Sequence, residues 1–358
     1  MKIAVLWTRL SGYLNGCLRE IAMRPGVELF VANEEASSDA PFSDDHFAWI
    51  KQRYEYRGAP DSAKLHGLLQ EFGPEIVLTC WHIREYRRAC DALRGRAVRV
   101  GCLDNQWRGT LRQRIGVLTS PVYLRRYFDA LFVPGERQAE WARRMGFEES
   151  RIWRGVLSAE VSRFWAVRGE ERPPAFLYVG RLSPEKGITA LIDAYGQYRA
   201  RAEAPWPLIV AGTGPLAGMI RQEGIVCRGF VQLREIPALF AEAACFVLPS
   251  TFEPWAVVIH EAAAAGLPII CTGECGASVH LVQDGYNGYV VEAGNDEVLT
   301  NTLLRMAELP AERRRHMGEA SRGLSRQFTP ERWANCVLEN GSALLEEIRK
   351  PLSKAAKL

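Results

Sequence analysis

Three short stretches of the chain hold residues whose types and spacing suit the binding of a phosphorylated ligand. The first, Phe176-Leu177-Tyr178-Val179-Gly180-Arg181-Leu182-Ser183-Pro184-Glu185-Lys186-Gly187, reads as a strand that ends in glycine and is followed by two cations five positions apart. Ligands of open α/β sheets bind at such strand ends. Arg181 and Lys186 can share one diphosphate, the planar guanidinium bridging oxygens and the ammonium acting as a point charge; an exposed arginine and lysine after a strand would look the same. In the second stretch, Val210-Ala211-Gly212-Thr213-Gly214-Pro215-Leu216, a strand enters a glycine-rich turn expected to open a helix, which lets backbone amides approach an anion. Ala217 stands where a dinucleotide fingerprint has its third glycine.

The third stretch runs from Leu248-Pro249-Ser250-Thr251-Phe252-Glu253-Pro254-Trp255-Ala256 through an alanine-rich helix to Gly266. Glu253 falls where a helix would be capped and Pro254 at a first-turn position. Glu261 follows eight positions later, about two helical turns plus roughly 80°, so both carboxylates can face one opening. Glu253 suits a sugar hydroxyl and Glu261 a ribose diol, since a carboxylate accepts from two adjacent hydroxyls. The helix N-terminus adds donors for a phosphate. Taken singly, either glutamate also suits a capping or solvated role.

These stretches need strand ends to hold them, and the pattern supplies them. Apolar β-rich runs alternate with helix-length segments throughout, the signature of parallel sheets flanked by helices. The first half gives strands at Lys2–Leu6, Val27–Ala32, Glu75–Thr79, Val98–Leu103 and Ala130–Val133. The second restarts at Ala175–Gly180 and continues through Leu208–Ala211, Ile225–Arg228, Cys245–Leu248, Ile269–Thr272 and Gly288–Val291. The fold class is therefore α/β, with two Rossmann-like domains facing a central cleft. The first domain covers 1–166, the charged and doubly proline segment 167–174 is the linker, and the second covers 175–329. The helix over about 330–358 is expected to pack back on the first domain.

Together, Gly180-Arg181 with Lys186-Gly187, Ala211-Gly212-Thr213-Gly214-Pro215, the Glu253 and Glu261 frame and Asp284-Gly285-Tyr286-Asn287-Gly288-Tyr289-Val290 resemble the retaining glycosyltransferases of family 4, which have the GT-B fold. The match covers residues 175–295. The resemblance implies that Arg181 and Lys186 hold the donor diphosphate and that Glu261 holds the ribose. It puts Glu253 and the backbone of Pro254, Trp255, Ala256 and Val257 at the donor sugar, and Phe230 and Val231 beside the base, with Gly12, Gly180, Gly212 and Gly214 lining the phosphates. It implies no cofactor and no metal, the two cations replacing one. Trp255-Ala256 stands where the family commonly has Phe-Gly, which alters the sugar pocket. A lone Gly12 stands in place of a Gly-Gly pair, and His280 in place of an acid.

The first half should bind the acceptor. Its strand ends offer Cys80-Trp81-His82 and Leu103-Asp104-Asn105, so His82 and Asp104 are candidates to orient or deprotonate a hydroxyl, a structural histidine beside Trp81 being the alternative for His82. The implied activity is metal-independent transfer of a hexose-type sugar, with retention, from a nucleotide-diphosphate donor to a hydroxyl on a glycan, lipid or small molecule. A UDP-sugar is favoured and GDP-mannose is second, in cell-envelope glycan or glycolipid synthesis. The alternatives are a non-catalytic nucleotide-sugar-binding protein and a nucleotide-sugar 2-epimerase.

Composition excludes other classes. With 47% hydrophobic and 24% charged residues over 358 positions, the chain is neither disordered nor fibrous. Met1–Trp7 reads as a first strand rather than a signal peptide, and no stretch is apolar enough for a spanning helix. Nine scattered cysteines fit a reduced, cytoplasmic protein. Net charge is +3, yet Trp81–Ser150 holds 14 arginines against 8 acidic residues, so peripheral contact with an anionic membrane at its inner face is a possible partner, while no nucleic-acid reader is evident.

Overall fold

The structure, a computed structural model, describes residues 1–35, 46–165 and 172–350. The chain divides into two compact units: Met1 to Val156 with the chain from Pro330 onward, and Leu157–Thr329. The boundary precedes the linker read from the sequence, of which 167–171 lie outside the described residues.

In the first unit the elements run β1 (Lys2–Arg9), α1 (Gly12–Ala22), β2 (Glu28–Glu34), β3 (Gln52–Tyr56), α2 (Ser62–Phe72), β4 (Ile76–Cys80), α3 (Arg84–Ala92), β5 (Val98–Cys102), α4 (Leu111–Tyr123), β6 (Ala130–Val133), α5 (Glu136–Arg144) and β7 (Ile152–Arg154). The sheet is parallel, in the order β3-β2-β1-β4-β5-β6-β7. Its central strands are buried on both faces and mostly apolar, as parallel strands under helices must be, with Arg99 of β5 paired to Asp129 at 2.7 Å. The two strands not expected from the sequence, β3 and β7, are the two edges. β3 alternates half-buried Arg53 and exposed Glu55 with buried tyrosines, and β7 is three residues long, both common ways of blunting an edge.

In the second unit α6 (Val161–Trp165) precedes β8 (Phe176–Val179), α7 (Ile188–Arg201), β9 (Leu208–Ala211), β10 (Ile225–Gly229), α8 (Ile236–Ala241), β11 (Cys245–Leu248), α9 (Val257–Ala265), β12 (Ile269–Thr272), α10 (Ser278–Leu281), β13 (Gly288–Val291), α11 (Asp296–Glu308) and α12 (Ala311–Ser325). All six strands are parallel, in the order β10-β9-β8-β11-β12-β13. Strand order reverses at β8, between β9 and β11, and a crevice at the carboxyl ends of the strands is where such sheets bind ligands.

The last helix, α13 (Pro330–Arg349), belongs to the first unit. Trp333 is 1% exposed, stacks near Phe132 at 5.9 Å and donates its indole N–H to the Val156 carbonyl at 3.2 Å. Gly341 brings the helix so close to β4 that a Cβ there would lie 2.3 Å from the Ile76 side chain.

Candidate active site

Backbone contact between two loops fixes the first cation. Gly180 donates to the Ala211 carbonyl at 3.0 Å, Leu182 to Thr213 at 2.8 Å, and Leu216 back to Leu182 at 3.0 Å. Gly212 and Gly214 allow this approach: their φ values are +142° and +154°, and Cβ atoms there would lie 1.9 Å from the Gly180 carbonyl oxygen and 2.4 Å from that of Leu182. The glycines therefore serve loop-to-loop packing first. The expected helix after them does not form; only a single 3-10 turn appears, over Ala217–Met219. Pro215 and Gly218 are poor material for a helix, and β10 starts too soon for a costly nucleus to propagate. Gly212 also donates to the Gly229 carbonyl at 2.7 Å, which brings half-buried Phe230 and Val231 to the same strand ends.

Lys186 ends a 3-10 turn, Pro184–Lys186, closed by Gly187 at φ +70°. A Cβ on Gly187 would lie 1.9 Å from the Pro249 carbonyl oxygen, so only glycine lets this turn lie against the loop after β11. Thr251 locks the two together by donating its N–H to the Glu185 carbonyl at 2.9 Å. The consequence is a contact between two motifs far apart in sequence: the Lys186 ammonium forms an ion pair with the Glu253 carboxylate. Arg181 lies exposed at the end of β8. The Ser183 hydroxyl holds the Glu185 carboxyl below its usual range, with Lys186 and Arg181 adding to the effect.

The route into α9 differs from the sequence expectation. The helix starts at Val257, and Ala256 precedes it at φ +76°, ψ +75°, alone among the described non-glycine residues in having positive φ. Glu253 lies ahead of the helix. Its backbone is held as a parallel bridge to Cys275, with Gly276 donating to the Glu253 carbonyl at 3.0 Å. The helical spacing argument for Glu253 and Glu261 thus does not apply, because a left-handed residue between them breaks the helix. Glu261 sits half-buried within α9, where loss of solvent pushes its carboxyl up to about 7 while Arg163 on α6 pulls the other way. The preceding His260 is fully buried. It accepts from the Ala159 N–H through Nδ1 at 3.0 Å and meets the Ser325 carbonyl through Nε2 at 2.9 Å, and burial pushes it down to about 4, so it is a neutral structural bridge.

In the first unit, adjacent strands β1, β4 and β5 carry Gly12, His82 and Asp104 at their carboxyl ends. Gly12 is the first residue of α1, after an extended Ser11. His82 and Asp104 keep solvent contact and sense one another. Partial loss of solvent pushes the imidazole down against the pull of Asp104, and pushes the Asp104 carboxyl up against the pull of His82. Tyr13, which the sequence reading did not single out, joins them: burial raises its hydroxyl, with Cys80 and Asp104 within electrostatic reach. An aromatic hydroxyl directly after the lone glycine of a strand-to-helix loop was the available signal.

Residues 163–324 match the family model described as glycosyl transferases group 1. The match covers most of the second unit. Over 154 residues the chain is 29% identical to a GDP-mannose-dependent alpha-mannosyltransferase of Corynebacterium glutamicum, covering 42% of this chain and 35% of the relative. Over 191 residues it is 30% identical to a glycogen synthase of Mycobacterium tuberculosis, covering 51% and 46%. The chain thus spans less than half the length of these curated relatives. The crystal structure of Anabaena Alr3699/HepE in complex with UDP and glucose shares the fold, with TM-score 0.68 at 17% identity over 95% of this chain and 99% of that one.

In the matched unit the Trp255 ring belongs to the core, not to the sugar pocket expected of it. It is 1% exposed, donates to the Leu157 carbonyl at 3.1 Å, and packs 5.2 Å from Phe328 and 5.8 Å from His280. Tryptophan in place of the family's phenylalanine is a change of core, and only the backbone of Trp255 is left for a ligand. His280, in place of an acid, is part of the same aromatic cluster. Pro254 and Val257 are half-buried on either side of Trp255 and Ala256. Among the described residues no three His, Cys, Asp or Glu side chains are grouped to hold a metal ion.

Proposed function

We propose that the chain moves a hexose-type sugar from a nucleotide-diphosphate donor to a hydroxyl of a cell-envelope glycan or lipid, with retention and without a metal ion. The observation that carries this reading is the Lys186–Glu253 ion pair beside Arg181, built by four loops at the switch point of the family-matched unit. A cation already paired to the carboxylate that would grip the sugar would lie near the bond to C1, where charge develops as that bond breaks. Arg181 and Lys186 would stabilise the departing diphosphate, the largest catalytic term in this chemistry. Glu253 would accept from a sugar hydroxyl, the N-terminus of α9 would donate to phosphate, and Glu261 would accept from the ribose. In the step itself the acceptor oxygen bonds to C1 on the face from which the phosphate oxygen leaves, and the acceptor proton passes to that oxygen. The acceptor is assigned to the first unit, with His82 and Asp104 orienting its hydroxyl and Tyr13 beside them. Nine cysteines with no disulfide among them suit a reducing compartment, which supports a cytoplasmic setting.

The similarity to HepE, solved with UDP, makes a UDP-sugar the first donor to test; the mannosyltransferase relative makes GDP-mannose the second. The test is hydrolysis and transfer by the purified chain with each donor under chelator. Release of one nucleoside diphosphate, lost in Lys186→Ala, supports the reading; release that depends on added divalent metal, or survives Lys186→Ala unchanged, contradicts it.

A further inference from the structure

Helix α4 is a helix that hides almost nothing. Of its thirteen residues only Ser120 is buried. Leu111, Ile115, Leu118 and Val122 are 74%, 52%, 80% and 78% exposed, and their spacing puts all four on one face. A soluble surface helix normally turns such a stripe inward. This one is turned outward and anchored by its polar residues instead: Thr110 caps its start by accepting from Gln113, and the Ser120 hydroxyl donates to the Met145 carbonyl at 2.8 Å.

The charge around the stripe is one-sided. From Asn105 to Phe128 the sequence has five arginines, at 108, 112, 114, 125 and 126, and no Asp, Glu or Lys. Arg126 is partly neutralised by Asp91, while Arg87 on neighbouring α3 lies over the Tyr123 ring at 4.9 Å and adds a cation at the helix's far end. An apolar stripe edged by arginines is the pattern of a helix lying in the headgroup boundary of an anionic leaflet. Thirteen residues cannot span a bilayer, so the helix would lie on it. A second copy is a poor occupant, because a two-fold contact through this face would set arginine against arginine.

We propose that α4 and its flanking arginines form a docking surface for the surface of an anionic lipid bilayer. This inference is independent of the donor reading, since none of its residues lies in the second unit. The test is co-sedimentation of the full chain with vesicles of phosphatidylcholine alone and of phosphatidylcholine mixed with phosphatidylglycerol. Binding should be at least about tenfold greater on the anionic vesicles and should fall steeply with salt. The double variant Leu118→Glu/Val122→Glu replaces two exposed side chains, so its thermal midpoint should match the parent while vesicle binding drops about tenfold or more even at low salt. No binding to anionic vesicles overturns the proposal, as does binding that survives the double variant. A concentration-dependent dimer that the same variant abolishes, without vesicle binding, overturns it in favour of a second copy.

Discussion

Lys186 and Glu253 show how a residue's role depends on its partner. The carboxylate is only 9% exposed, so it needs the ammonium, and the pair positions both groups before any ligand arrives. Lys186→Ala should slow transfer by about 10²–10³-fold, the usual loss on removing one stabilising group from a developing anion. Its thermal midpoint should fall only by the cost of one unpaired, nearly buried carboxylate, about 1–3 kcal/mol. Scanning calorimetry beside a rate measurement checks both; equal damage to each would make Lys186 structural. Glu261 allows a test by pH. Its folded carboxyl titrates near 7, above the ordinary 4.5, so the protonated form favours folding, a contribution complete below about 4.5 and lost as pH rises through about 7. Ribose binding needs the ionised form to accept two hydrogen bonds, so nucleotide affinity should rise severalfold from about pH 6 to about pH 8 and show a smaller rise in Glu261→Gln, where only the phosphate still titrates. Titration calorimetry at the two pH values decides it. Ala256 makes the third residue-scale case: its left-handed backbone costs about 1–2 kcal/mol. Glycine there would lose about 0.5–1 kcal/mol to its freer unfolded state, so Ala256→Gly should stabilise by about 0.5–1 kcal/mol net, read as a raised midpoint.

At the scale of elements, glycines decide which loops can meet. Gly187 lies against the Pro249 carbonyl and Gly212 against that of Gly180, so a single added methyl at either place must push two loops apart. Gly187→Ala should cost about 2 kcal/mol or more through collision and left-handed strain together, and should impair transfer as much as losing the lysine itself. Retained activity would show that the turn's position is not what places Lys186. The same scale shows what was legible in the sequence. Buried parallel strands such as Ala130–Val133 and Cys245–Leu248 announce themselves as unbroken apolar runs, whereas Gln52–Tyr56 and Ile152–Arg154 do not, because an edge strand is polar on its open side or very short. The motif residues around Arg181, Lys186 and Glu253 stood out by type and spacing. That Trp255 is core and that Ala256 breaks the helix were hidden, since both depend on partners distant in sequence, Leu157, His280 and Phe328 for the ring and Cys275 to Ala277 for the backbone ahead of the helix.

At the scale of the whole molecule, the last helix closes the first unit although the second unit separates them in sequence. With Trp333, Val337, Leu344 and Leu345 buried on α13 and Gly341 seated on Ile76, a chain ending before Pro330 would expose that face of β4 and β5. Burying side chains of this size contributes about 1.5–3 kcal/mol each, comparable in sum to the whole stability of a domain, so the truncated chain should aggregate or expose its first unit to protease while residues 157–329 stay resistant. Limited proteolysis with mass spectrometry separates these outcomes.

The second unit is proposed to bind a nucleotide-sugar donor through Arg181 and Lys186 without a metal ion. A thermal-shift series with UDP, GDP, ADP and their sugar conjugates, in the presence of a chelator, tests it directly, since a ligand that binds only the folded chain raises the midpoint. The expected result is a rise with one nucleotide, undiminished by chelator and lost in Lys186→Ala. A chain that shifts with none of them, or only when a divalent metal is supplied, would contradict it.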